Sequence, residues 1–110
     1  MNHNSTPGYL IAQIDVKDYP EYIRRYGMPA NALLQKYGAE PLVASAAAQI
    51  VEGSAGGNWT VVIRFPSLAA ADAFYNSAEY QPLKSLRVNA LTNSGSILIV
   101  GGFDANALPV

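Results

Sequence analysis

Tyr80 and Arg87 stand seven residues apart in a stretch with helical spacing, and therefore on one helix face. There Arg87 could grip the carboxylate of a ligand by a forked hydrogen bond, or pair within the chain with Glu79 or Asp72. Asp15 and Arg64 lie near the ends of two strands expected to be parallel neighbours, where they could form an ion pair. In a catalytic reading Arg64 holds a carboxylate or enolate oxygen while Asp15 removes a proton. In the plainer reading the pair satisfies itself at a subunit interface. Tyrosine outnumbers phenylalanine seven to three, a polar choice of aromatic that suits a cavity with apolar walls and hydroxyl donors. Asp15, Arg64 and Tyr80 are thus the catalytic candidates, and Tyr9, Gln13, Tyr22, Tyr26, Tyr75 and Arg87 the ligand-binding ones. The alternative for the tyrosines is a place in the core with the hydroxyl at its rim.

Other chemistries are poorly supplied. Cysteine is absent, which excludes disulfides, thiolate catalysis and cysteine-ligated metals. His3 is the one histidine and falls in a polar lead-in, so zinc and haem have too few ordinary ligands, and neither a metal nor a cofactor is expected. The glycine-rich stretch 53–57 has no helix after it and no Lys-Ser/Thr pair, so it reads as a hairpin connection rather than a phosphate cradle. A net charge of -1 lacks the basic excess that would neutralise nucleic-acid phosphates. The apolar stretch from Tyr9 to Ile14 is too short for a signal core or a membrane span, so the expected location is the cytoplasm.

These side chains need elements to hold them. Half of the 110 residues are hydrophobic and 14% are charged, a composition for one globular domain, expected over residues 8–104 with loose ends at 1–7 and 105–110. Tyr9 to Val16 alternates as a first strand, with Gln13 and Asp15 on the face of Tyr9 and Ile11. Asp18, Pro20 and Glu21 open a helix with the stripe Tyr22, Tyr26, Ala30, Leu33 and Tyr37, stopped by Gly38. Gly27 and Pro29 predict a kink near Met28. Pro41 to Ser45 and Gln49 to Glu52 read as one edge strand bent at Ala46–Ala48, and Trp59 to Phe65 as a strong strand. Ser67 caps a helix whose inner side holds Leu68, Ala71, Phe74 and Tyr75. Ser77 caps a second helical piece that carries Tyr80, Leu83, Leu86, Arg87 and Ala90, its regular part starting at Pro82. Thr92 to Ser96 reads as a turn and Ile97 to Val100 as the last strand.

The order is βαββαβ, the ferredoxin-like α+β pattern. It predicts a four-stranded antiparallel sheet with helices on one face, the first and third strands being adjacent and parallel. The uncovered face predicts a second copy of the chain as its partner.

The run from Phe65-Pro66-Ser67 through Phe74-Tyr75-Asn76-Ser77-Ala78-Glu79-Tyr80-Gln81 to Leu86-Arg87 resembles the signature of the domain-of-unknown-function family 1330. The opening strand, the internal Met28-Pro29 and the ending Ile97 to Gly102 are similar to the same family, so the likeness runs from about Gly8 to Gly102. It singles out Ser77, Tyr80 and Arg87, and it implies a dimeric α+β barrel. That superfamily also holds cofactor-free monooxygenases, muconolactone-isomerase-like enzymes and haem-dependent chlorite dismutases. Family members commonly carry a basic residue followed by glycines in the second strand, where this chain has Ala44-Ser45-Ala46, and Arg64 occupies the third strand. An anion held by that basic residue would pass here to Arg64 or be lost. The expectation is a homodimer acting without a cofactor on a small organic acid, lactone or aromatic, as an isomerase, lyase or monooxygenase. The alternative is a non-catalytic or stress-associated dimer that binds a metabolite.

Overall fold

The computed structural model describes residues 6–107, so His3 and the readings of 1–5 and 108–110 as loose ends lie outside the described residues. Strict alternation makes β1, Gly8–Val16, the axis of the sheet: Leu10, Ala12, Ile14 and Val16 are buried, while Tyr9, Ile11, Gln13 and Asp15 face the other side. The other strands are β2 (Glu40–Ser45), β3 (Trp59–Phe65) and β4 (Thr92–Gly101), in the spatial order β2-β3-β1-β4.

Every neighbouring pair is antiparallel, β1 and β3 included, which corrects the expected parallel pairing. The cause is topological. β2 runs parallel to β1 after its crossover, but β3 returns from β2 through a connection that reverses it, and β3 is the strand inserted beside β1. Helices cover one face, as expected of the ferredoxin-like fold.

Two strand boundaries also differ from expectation. β2 ends at Ser45, and Gln49 to Glu52 form no strand, because β3 starts at Trp59 and offers nothing beyond it to pair with. The irregularity lies between Pro41 and Val43 rather than at Ala46–Ala48, next to a proline that has no N–H for the ladder. Conversely, Thr92 to Ser96 belong to β4, since β1 extends to Val16 and pairs with them along their length.

The first helical segment starts as the cap predicts: the Asp18 Oδ1 accepts from the Glu21 N–H at 3.1 Å, ahead of α1, Tyr19–Tyr22. A π-helical turn, Ile23–Gly27, then joins it to α2, Met28–Lys36. This wider turn stands where the kink is expected, immediately before the proline that cannot donate to the preceding turn. Gly38, at φ 68°, ends the helix in the left-handed conformation. α3, Leu68–Tyr75, is capped by Ser67, whose Oγ accepts from the Ala70 N–H at 3.1 Å. Ala71 and Phe74 face inward, but Leu68 is largely exposed. The start of α3 packs against β1 through its backbone: a Cβ on Gly8 would lie 2.7 Å from the Leu68 Cα.

Ser77 holds the next turn, its Oγ accepting from the Tyr80 N–H and donating to the Phe74 carbonyl at 2.8 Å. α4, Gln81–Leu86, has Pro82 in its first turn and passes into a second π-helical segment, Arg87–Leu91. Among the described residues no helix is long and apolar enough to cross a membrane.

Candidate functional site

Between the helix-side face of the sheet and the first helical segment lies a cavity of 390 Å³. This is near the lower end of the range, roughly 300 to 1,000 Å³, typical of small-molecule sites. Its floor is apolar: Leu10, Ala12 and Ile14 from β1, Val61 and Ile63 from β3, Ile97 from β4. Tyr22, Tyr26, Ala30 and Leu34 form the helical wall, with Phe74, Tyr80 and Arg87 at one end. The opposite side reaches solvent between the two elements that carry Ile23, Met28 and Asn31 on one hand and Pro41 and Ala44 on the other, all exposed.

Among the described residues Arg87 is the one charged residue that lines this cavity. Only 6% of it is exposed, and its Nε is buried without a hydrogen-bond partner. The ion pairs among the described residues, Arg25–Glu21, Lys36–Glu79 and Arg64–Glu40, leave Arg87 with no carboxylate. The expected intrachain partners Glu79 and Asp72 therefore do not serve it, and Glu79 is taken by Lys36 at 2.6 Å. Its surroundings are aromatic. The guanidinium carbon lies 5.9 Å from the centroid of the Tyr26 ring, and the Tyr26 and Tyr80 hydroxyls share a 2.6 Å hydrogen bond. Burial works against the charge, while the Tyr80 and Tyr26 oxygens act for it and hold the guanidinium pKa above its ordinary value, a pull that is full only when those hydroxyls are ionised.

The tyrosines respond in the same sense. Burial pushes the Tyr22 hydroxyl up to about 12, against the opposing pull of Arg87. Tyr26 is pushed well above its usual range, by burial first and then by Tyr80. Both hold their protons at neutral pH, so they can donate hydrogen bonds but not act as bases. The arrangement offers a cation to negative charge on a ligand oxygen, and the Tyr80 hydroxyl, bonded to that of Tyr26, lines the same cavity.

The nine residues singled out by sequence separate into two groups. Tyr22, Tyr26, Tyr80 and Arg87 come together at the cavity, and Tyr75 packs behind Tyr80 with ring centroids 5.3 Å apart. Tyr9, Gln13, Asp15 and Arg64 lie on the opposite face of the sheet. Arg64 pairs with Tyr9 in the β1–β3 register, while Asp15 pairs with Ser94 on β4. Six residues of β1 separate those two levels, about 20 Å of strand, so Asp15 and Arg64 form no pair. This corrects the expected juxtaposition, which depended on parallel strands. Arg64 instead lies 3.9 Å from Glu40, and Asp15 accepts a long hydrogen bond, 3.4 Å, from the Asn93 side chain. Gln13 is occupied by Thr60 and by the Gly56 N–H.

Sequence reasoning missed the mouth residues Met28 and Asn31 and the small floor residues. One signal was present: Ala12 interrupts the large residues Leu10, Ile14 and Val16 on the buried face of β1.

A model of the family described as domain of unknown function (DUF1330) matches residues 7–103. No curated protein matches the chain. Among solved structures, a protein of unknown function from Rhodopseudomonas palustris superposes with a TM-score of 0.70 at 14% identity, covering 92% of this chain and 85% of that one. A dimeric protein of unknown function and ferredoxin-like fold from Bacteroides fragilis gives 0.57 at 11% identity, covering 86% and 95%. A candidate antibiotic biosynthesis monooxygenase from Caulobacter crescentus gives 0.58 at 11%, covering 91% and 92%. At these identities the likeness is one of fold.

Proposed function

We propose that this chain, which belongs to the DUF1330 family, binds a small organic anion in the cavity between sheet and helices, with Arg87 as its anchor. The observation that carries this reading is a guanidinium buried in an apolar cavity with an unpaired Nε and no carboxylate partner. A buried charge without a counter-ion is costly, and an arriving carboxylate or enolate oxygen supplies what it lacks. The reaction such a site favours is one in which negative charge grows on a substrate oxygen, with the Tyr80 hydroxyl as second donor. Enolisation of a small acid, lactone or aromatic ketone belongs to this class, and the likeness to a candidate monooxygenase is in keeping with it. Among the described residues no carboxylate or histidine lines the cavity.

The second face of the sheet serves assembly in this reading. Val43, Val62, Ile11 and Leu98 stand in register across all four strands and form an apolar row. A second copy covers that row, as the dimeric Bacteroides protein of this fold makes reasonable. Tyr9, Gln13, Asp15 and Arg64 then belong to the polar rim of the interface rather than to the ligand site.

Isothermal titration of the purified protein with octanoate and with 3-phenylpropanoate tests the ligand site. Arg87→Met is expected to weaken binding at least tenfold and Asp15→Asn to leave it unchanged. Equal binding by wild type and Arg87→Met would refute the reading.

A further inference from the structure

We infer that the ligand is an amphipathic monocarboxylate, held with its carboxylate at the closed end of the cavity and its apolar body directed to the mouth. This rests on the anion-binding reading above and adds the class and orientation of the ligand. The cavity is polarised along its length. At the closed end, Arg87, Tyr80 and Phe74 are 6%, 1% and 2% exposed. At the mouth, Ile23 and Met28 are 41% and 65% exposed, and both are apolar. Among the described residues Arg87 is the single cation that lines the space, so a second carboxylate would have to lie against apolar side chains without a partner.

The intervening floor of Leu10, Ile14, Val61 and Ile97 rewards methylenes or a ring but offers no hydrogen bond to a hydroxyl-rich chain. Asn31 at the mouth is neutral and gives no charge to answer a distal carboxylate. Short hydrophilic acids and diacids are therefore selected against, and medium-length alkanoates or aryl-alkanoates are selected for.

The test compares octanoate, octanedioate, butanoate and 1-octanol on the intact protein by isothermal titration calorimetry. Circular dichroism serves as a folding control for each variant. Octanoate is expected to bind at least tenfold more tightly than octanedioate or 1-octanol. Affinity should climb by about fourfold per methylene from butanoate to octanoate. Met28→Lys, a change at an exposed position, places a cation at the mouth and is expected to narrow or reverse the preference for octanoate over octanedioate. If octanedioate equals octanoate on the wild type while Arg87→Met loses both, the orientation and class are wrong and the anion site stands. If 1-octanol equals octanoate and Arg87→Met changes neither, the anion site itself is wrong, and this inference falls with it.

Discussion

At neutral pH burial weighs against the charge of Arg87. Its guanidinium is buried, its Nε is unpaired, and only tyrosine oxygens and a ring face answer its charge. Removing the charge while keeping the bulk should therefore stabilise the fold. Arg87→Met is expected to raise the free energy of unfolding by about 1 kcal/mol, read as a higher urea midpoint at unchanged slope. A loss of similar size would mean that the tyrosines satisfy the guanidinium in full.

Tyr22 gives the same cluster a pH signature. Its hydroxyl ionises near 10.0 when unfolded but near 12 in the native state, so the native state binds that proton more tightly. The resulting stability is fully present below pH 10 and is lost as pH rises through 12. Urea midpoints measured across that window should fall with pH, and Tyr22→Phe should make the fall shallower.

At the scale of elements, the site depends on two departures from regular helix. The π-helical turn Ile23–Gly27 carries Tyr26 and the mouth residue Ile23, and the segment Arg87–Leu91 begins with the buried arginine itself. Each inserts a residue that re-aims the side chains around it, a device frequent at functional sites. The sheet is secured at the far end of β1 by Asn58, whose side chain accepts from the Val16 N–H at 2.8 Å and donates to the Val16 carbonyl at 3.0 Å. Asn58→Ala leaves both backbone groups of Val16 without these partners. It should cost about 2 kcal/mol in chemical denaturation, two hydrogen bonds at roughly 1 kcal/mol each.

This level also separates what could be read in the sequence from what could not. The alternation of β1, the caps Asp18 and Ser67 and the stripe through Tyr22 and Tyr26 are local patterns, and each forms as its chemistry directs. The polar half of β4 was illegible because an edge strand with one open face needs no apolar alternation, only a neighbour to pair with. The Asp15–Arg64 pairing failed for a non-local reason, since strand direction follows from the order of connections rather than from either strand. The cavity was visible only through Ala12, because a void depends on how far the helices stand from the sheet.

For the whole molecule, the two faces of the sheet differ: one lines the cavity, the other presents an apolar row with Val43 and Leu98 at 40% and 61% exposure. Light scattering at micromolar concentration should report a dimer, and Leu98→Glu a folded monomer, because a charge in the apolar row would have to be buried unpaired on assembly. A monomeric wild type would overturn the assembly and leave the cavity in place.

The proton on the Arg87 Nε can be observed directly by nuclear magnetic resonance. With the Arg87 Nε–H resonance assigned from the Arg87→Met spectrum, octanoate is titrated into the isotopically labelled wild-type protein. This resonance is expected to move downfield and to be protected from exchange with water as the Nε gains an acceptor. A resonance that stays unmoved at saturation, while signals elsewhere in the chain shift, would contradict anion binding at Arg87.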